Sequence, residues 1–156
     1  MRMLSDLLKK LRPLEVDDEF FGCLIYMKMP KGRISYWEAK RTFSSSGREI
    51  ELFIDAPALE LPPSELQRQF FLTVERHYSS ILAAVETVLR PQFEEWSRKP
   101  LSGAFSTEFT MTSFSIPNVV IEDSRWQMYF ESQTDANHLF NVALRGEHPT
   151  GVSIDG

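Results

Sequence analysis

The sequence predicts an α+β fold: an antiparallel sheet of order β-β-β-α-β-β-β with a further short strand at its C-terminal end. One long central helix, over about residues 64–90, packs on one face. Three observations carry this expectation. A stretch of helical periodicity sits between two blocks of short alternating runs. The runs within each block are joined by turns too short for a parallel crossover, which needs about a dozen residues. No linker, internal repeat or low-complexity tract interrupts the 156 residues, so 1–156 reads as one α+β domain able to bury roughly 70% of its unfolded surface.

Taken in order, Met1 to Leu11 places Leu4, Leu7, Leu8 and Leu11 around Asp6, Lys9 and Lys10, the pattern of a short N-terminal amphipathic helix docked on the domain. It lacks the apolar core of a secretory signal, and no segment has the length of a membrane span. Its three basic residues are few for a membrane-surface helix. The expected compartment is the cytoplasm, with no membrane partner. Gly22 to Met29 reads as the first strand and Arg33 to Phe43 as the second, after the turn Pro30-Lys31-Gly32. Ser44-Ser45-Ser46-Gly47 turns into Glu49 to Asp55, where Ile50, Leu52 and Ile54 alternate with charged residues.

Ser64, preceded by Pro62-Pro63 and followed three residues on by Gln67, carries a capping-box pattern. Leu66, Phe70, Phe71, Val74, Tyr78, Ile81, Leu82, Val85 and Leu89 then keep one apolar stripe. Pro91 is expected to end or kink the helix, with a short turn bearing Phe93 and Trp96 beyond it. Phe105 to Ile116 alternates with a phase slip near Ser113-Phe114, where a bulge fits. In the next strand Trp126, Met128 and Phe130 alternate with Gln127, Tyr129 and Glu131. Leu139 to Arg145 follows, and a last short strand runs from Val152 to Asp155.

Charge is unevenly placed. Residues 1–61 hold ten basic and ten acidic side chains, whereas residues 62–156 hold seven and twelve and so carry the whole net charge of −5. Lys28, Lys31, Arg33, Lys40, Arg41 and Arg48 stand against Glu38 alone in the 28–48 hairpin. Two readings fit it: an anion or nucleic-acid contact with Tyr36 and Trp37 stacking, or cations guarding exposed strands against edge-to-edge pairing. The pI near 5.2 favours the second, since the field of the whole molecule repels phosphate, and no nucleic-acid partner is expected. Glu122, Asp123, Glu131 and Asp135 cluster around the Trp126 strand. They form a candidate face for steering a basic protein partner, with Trp126 and Tyr129 as its hydrophobic anchors.

No nucleophile elbow, P-loop, dinucleotide-binding glycine pattern or paired-histidine metal motif occurs. Cys23 lies in an apolar run and reads as a small buried hydrophobe. His77 stands alone on its helix, and His138 follows Asp135 by three residues, spacing that could build an acid–base pair but brings no nucleophile with it. No catalytic residue, metal or cofactor is expected, and the chain reads as a non-enzyme.

The C-terminal run His138-Leu139-Phe140-Asn141-Val142 and Gly146-Glu147-His148-Pro149-Thr150-Gly151-Val152-Ser153-Ile154-Asp155-Gly156 resembles the ending of a group of small bacterial α+β proteins. Phe21-Gly22 opening a strand, and Glu49-Ile50-Glu51-Leu52 ahead of a long helix, resemble the same group. These proteins are similar to immunity proteins of polymorphic, contact-dependent toxin systems. The resemblance implies a binding protein that neutralises a partner toxin, a basic one on the charge argument above. It carries over no functional residue. Two other readings stay open: a small-molecule binder or enzyme with a site of scattered residues, and an anion contact through the basic hairpin.

Overall fold

The computed structural model describes residues 12–56, 58, 60–118 and 123–156. The N-terminal amphipathic helix and Glu122 therefore lie outside the described residues. Eight strands form one sheet: β1 (Glu15–Asp18), β2 (Gly22–Met27), β3 (Ser35–Phe43), β4 (Arg48–Ala56), β5 (Phe109–Ile116), β6 (Arg125–Ser132), β7 (Leu139–Arg145) and β8 (His148–Asp155). Between β4 and β5 run α1 (Glu65–Arg76), α2 (Tyr78–Ser97) and the single turn α3 (Phe105–Glu108). The strands lie side by side in chain order, and every neighbouring pair is antiparallel except β4/β5, which is parallel. The fold is thus two four-stranded meanders joined by a helical crossover.

The α+β class and the helix-covered face agree with the sequence, but the sheet is larger. β1 is an extra strand, built from the acidic run Glu15-Val16-Asp17-Asp18 that shows little apolar alternation. The parallel pair departs from an all-antiparallel order because its connection is long enough to cross the sheet. Phe105 to Glu108, expected as strand, is helical, and β5 starts at Phe109. The bulge falls at Thr112, one residue before the expected slip.

The expected continuous helix is two helices. Ser64 and Gln67 do form the capping box at the start of α1. His77, at φ −98° and ψ 10°, separates α1 from α2. Hydrogen bonds still cross the break, from His77 N to Thr73 O (2.9 Å) and from Ile81 N to His77 O (3.0 Å), so the chain bends without reversing. The His77 imidazole pairs with Glu147 in the β7–β8 turn, which pins the bend to the sheet. Pro91 does not end the helix. It lies inside α2, where buried Leu89 and Phe93 on either side hold the helix to the sheet despite the missing N–H. α2 stops at Arg98, whose backbone turns left-handed. No described helix is long and apolar enough to cross a membrane.

The core fills the space between sheet and helices. Phe70, Phe71, Val74, Ile81, Val85 and Leu89 pack onto Trp37, Ile50, Leu52, Ile54, Phe114, Met128 and Val142. Leu66, expected on this stripe, is instead 59% exposed in the first turn of α1. Cys23, expected to be buried, is exposed because its neighbour Leu24 takes the inward position on β2. Gln67 is the most buried of the polar side chains among the described residues: its Nε2 donates to the carbonyls of Asp55 (2.8 Å) and Pro117 (3.2 Å), tying the helix start to the ends of β4 and β5.

Candidate functional site

Helices cover one face of the sheet, and the strand register dictates what the other face presents. Alternation puts Leu52, Ile54, Phe114, Met128 and Val142 against the helices, so their chain neighbours must point away. Following the pairing from β3 to β8 gives parallel rows across this open face. One row reads Lys40, Glu51, Ser113, Tyr129, Asn141, Ser153. On one side of it, Phe53 and Ser115 line up with Gln127 and Ala143; on the other, Thr110 and Glu131 line up with Leu139 and Asp155.

The face is concave and encloses about 1160 Å³. Its lowest strip follows β5, where the outward residues Thr110, Thr112, Ser113 and Ser115 are all short hydroxyl side chains. β4 forms one wall with Glu49, Glu51, Phe53 and Asp55, and β6 the other with Arg125, Gln127, Tyr129 and Glu131. At the usual strand spacing the walls stand roughly 10 Å apart over a trough about 25 Å long. Short side chains between two lines of long ones make the hollow.

Aromatic rings hold its middle. Phe53 meets Tyr36 and Tyr129 edge-on, each with ring centres 5.9 Å apart. The Tyr129 hydroxyl donates to Gln127 Oε1 (2.7 Å), which also accepts from Asn141 Nδ2 (3.0 Å), while Ser115 Oγ accepts from Gln127 N (2.9 Å). Burial pushes the Tyr129 hydroxyl above its ordinary pKa, with Asp155 and Tyr36 adding to the effect; burial and then Glu38 do the same for Tyr36. Burial also raises the Asp55 carboxyl, against a hydrogen bond from the Asn118 backbone. Glu49, Glu51, Asp55 and Glu131 line the hollow together with Lys40, Arg125 and Arg145, and Glu38 and Asp155 continue the acidic side on the same face beyond it. Two of these cations already have partners, Lys40 with Glu51 (3.9 Å) and Arg145 with Asp123 (3.2 Å).

Among the described residues, those of the acidic face expected from sequence are spread over both ends of β6. Tyr129 and Glu131 stand together on the open face. Trp126 is corrected: at 3% exposure it lies among the core rings of Phe70 and Phe114, with Nε1 donating to Gly146 O (2.6 Å), and cannot anchor a partner. Its place one residue from Gln127 puts it on the helix side. Asp123 precedes β6 and pairs with Arg145, whereas Asp135 lies beyond the other end of β6 and accepts from His138 Nδ1 (2.8 Å). Asp135 and His138 thus do meet, with the Trp96 ring 4.8 Å from the imidazole. The nearby Ser132 hydroxyl donates to Glu108 (2.5 Å) and accepts from Asp135 N (3.1 Å). Among the described residues no three His, Cys, Asp or Glu side chains gather as a metal site.

Neither reading of the basic hairpin survives intact. Its strands are interior, with β1 covering β2, so its cations guard no edge. Trp37 is fully buried, and Arg41 lies on the helix side over the rings of Phe20 (4.0 Å) and Phe71 (5.1 Å), donating to the Phe20 carbonyl. Trp37 is thus not free to stack on a ligand, while Lys28, Lys31, Arg33, Lys40 and Arg48 are exposed. The walls of the trough were missed in the sequence because they come from alternate residues of β4 and β6, strands far apart in the chain; the signal was the run of outward hydroxyls on β5.

Comparison with protein-family models, curated proteins and solved structures finds no match to this chain.

Proposed function

We propose that the chain is a non-enzymatic binding protein of the immunity type, which neutralises a basic partner protein by seating it on the open face of the sheet. The observation that carries this reading is the concave face itself: about 1160 Å³, with Tyr36, Phe53 and Tyr129 at its middle and an excess of carboxylates around them. Tyrosine-rich centres with polar rims are the usual composition of protein-binding surfaces. Small-molecule sites are typically about 300–1,000 Å³ and bury most of their ligand, whereas this hollow is larger, open on one side and carries the charged side chains of Lys40, Glu49, Glu51, Asp55, Arg125, Glu131 and Arg145. The acidic excess supplies long-range attraction toward a basic surface, and a mutual fit of shapes needs no reacting group.

The test is co-purification from the native cells with tagged wild-type protein and the Tyr129→Ala variant, followed by titration of the captured partner's activity. The expected result is a partner whose activity is fully suppressed at an equimolar ratio. Tyr129→Ala should bind it about thirtyfold more weakly, from a central aromatic worth ~2 kcal/mol. Suppression of the partner by far less than one equivalent would mean turnover and would overturn the non-enzymatic reading. Undiminished binding by Tyr129→Ala would move the interface off this face.

A further inference from the structure

The trough is electrically lopsided, and we infer that its Glu49/Glu51/Glu131 end receives an arginine side chain from a basic protein partner, laid over the Thr112–Ser113 floor beside the Tyr129 ring. The inference rests on the binding-protein reading above and locates the contact. Three observations point to this end. Glu49 and Glu51 on β4 and Glu131 on β6 are all exposed and face one another across β5, so a cation on the floor has carboxylates on both sides. The floor between them is made of short hydroxyl side chains, which leave room for a long side chain and accept hydrogen bonds from its N–H groups. Tyr129 borders the pocket in the Ser113 row and offers a ring to a guanidinium, a favourable stacking surface. Lys40 is the sole basic residue lining the hollow near this end, and its contact with Glu51 is long, at 3.9 Å, between two well-exposed groups.

The opposite end carries cations as well as carboxylates. Arg125 and Arg145 are paired across β6 and β7, with Asp55 in the same stretch of lining and Asp123 on Arg145, so the carboxylates there already face cations and an incoming arginine is favoured at the Glu49/Glu51/Glu131 end. A planar guanidinium suits carboxylates on two sides better than a compact ammonium does, because it donates along several fixed directions.

The experiment titrates the full chain with acetyl-hexaarginine amide and with the isosteric, uncharged hexacitrulline peptide, at low and at high salt. The first should bind and the second should bind at least tenfold more weakly, the difference shrinking as salt rises. The triple variant Glu49→Gln/Glu51→Gln/Glu131→Gln should lose about tenfold in affinity for the arginine peptide. A control with the same change in net charge, Glu19→Gln/Glu60→Gln/Glu95→Gln, alters exposed carboxylates away from the trough and should lose less than twofold. Equal losses in the two triple variants would reduce the effect to net charge and overturn the assignment, as would equal binding of the citrulline peptide. If a captured partner depends on Tyr129 but not on the three glutamates, this inference falls and the binding-protein reading stands. If the peptide results hold while the chain proves to turn over its partner, the reverse applies.

Discussion

Replacing Gln67 by leucine removes a buried polar side chain that holds the helical crossover to the ends of the parallel strands it joins. Gln67 is 2% exposed, and three hydrogen bonds end on its amide: from Nε2 to the Asp55 and Pro117 carbonyls, and from Ser64 N to Oε1. Leucine matches its size but satisfies none of them. Two stranded carbonyls and half a capping box at ~1–2 kcal/mol each, less ~1 kcal/mol for the better burial of leucine, give a net loss of ~2–5 kcal/mol. At roughly 2–4 °C per kcal/mol for a chain of this size, the thermal midpoint should fall by about 4–20 °C. Urea unfolding of the wild type, Gln67→Leu, Ser64→Ala and the double variant provides the assay. Ser64→Ala alone should cost ~1 kcal/mol, and the double variant less than the sum, because both changes break the same box. A Gln67→Leu protein as stable as the wild type would refute the reasoning, by showing that water or local rearrangement satisfies those carbonyls.

Two further outcomes follow from the fold. Burial raises the Asp18 carboxyl, but backbone N–H groups of Phe21 and Phe20 and the Arg68 guanidinium outweigh it and hold its pKa below 3.8. A depressed carboxylate stabilises fully above its unfolded value and loses that contribution as pH falls through the folded one. The stability gap between wild type and Asp18→Asn should therefore be constant near neutrality and close at acid pH below about 4 in denaturant titrations; a gap that widens on acidification would reverse the assignment. Cys23 is exposed on β2, so the native protein should react stoichiometrically with a maleimide, and Cys23→Ser should shift stability by less than ~0.5 kcal/mol; a thiol that reacts only after unfolding would place it inside.

Much of the fold was legible because one face of the sheet is dry. Ile50/Leu52/Ile54 and Trp126/Met128/Phe130 alternate strictly, and that alternation located β4 and β6 and assigned their inward faces. The bend at His77 was not legible: no glycine or proline marks it, and its partner Glu147 is distant in sequence. Pro91 misled in the other direction, since the burial of Leu89 and Phe93 outweighs the local penalty of proline. β1 escaped notice because its sequence is acidic and short. Charge clustering along the chain proved a poor guide to the site. Asp123, Glu131 and Asp135 are close in sequence yet spread along the length of β6, while Glu49 and Glu131 are distant in sequence and flank one strand. Trp126 failed as an anchor for a related reason: the alternation that identified the strand also assigned Trp126 inward.

The parallel β4/β5 pair gives the trough a second meaning. Every other strand pair is closed by a short connection, so each four-stranded half can assemble from local contacts, whereas this seam closes only when the whole crossover is in place. The trough lies along that seam, with one wall from each half. An occupant gripping both walls acts as a cross-brace between two halves of the chain, and its binding free energy adds to the cohesion of the molecule as RT ln(1 + [L]/Kd). Amide hydrogens along β5 should then register occupancy more sharply than those of the outer strands, making the joint between the halves the place where folding and recognition draw on the same free energy.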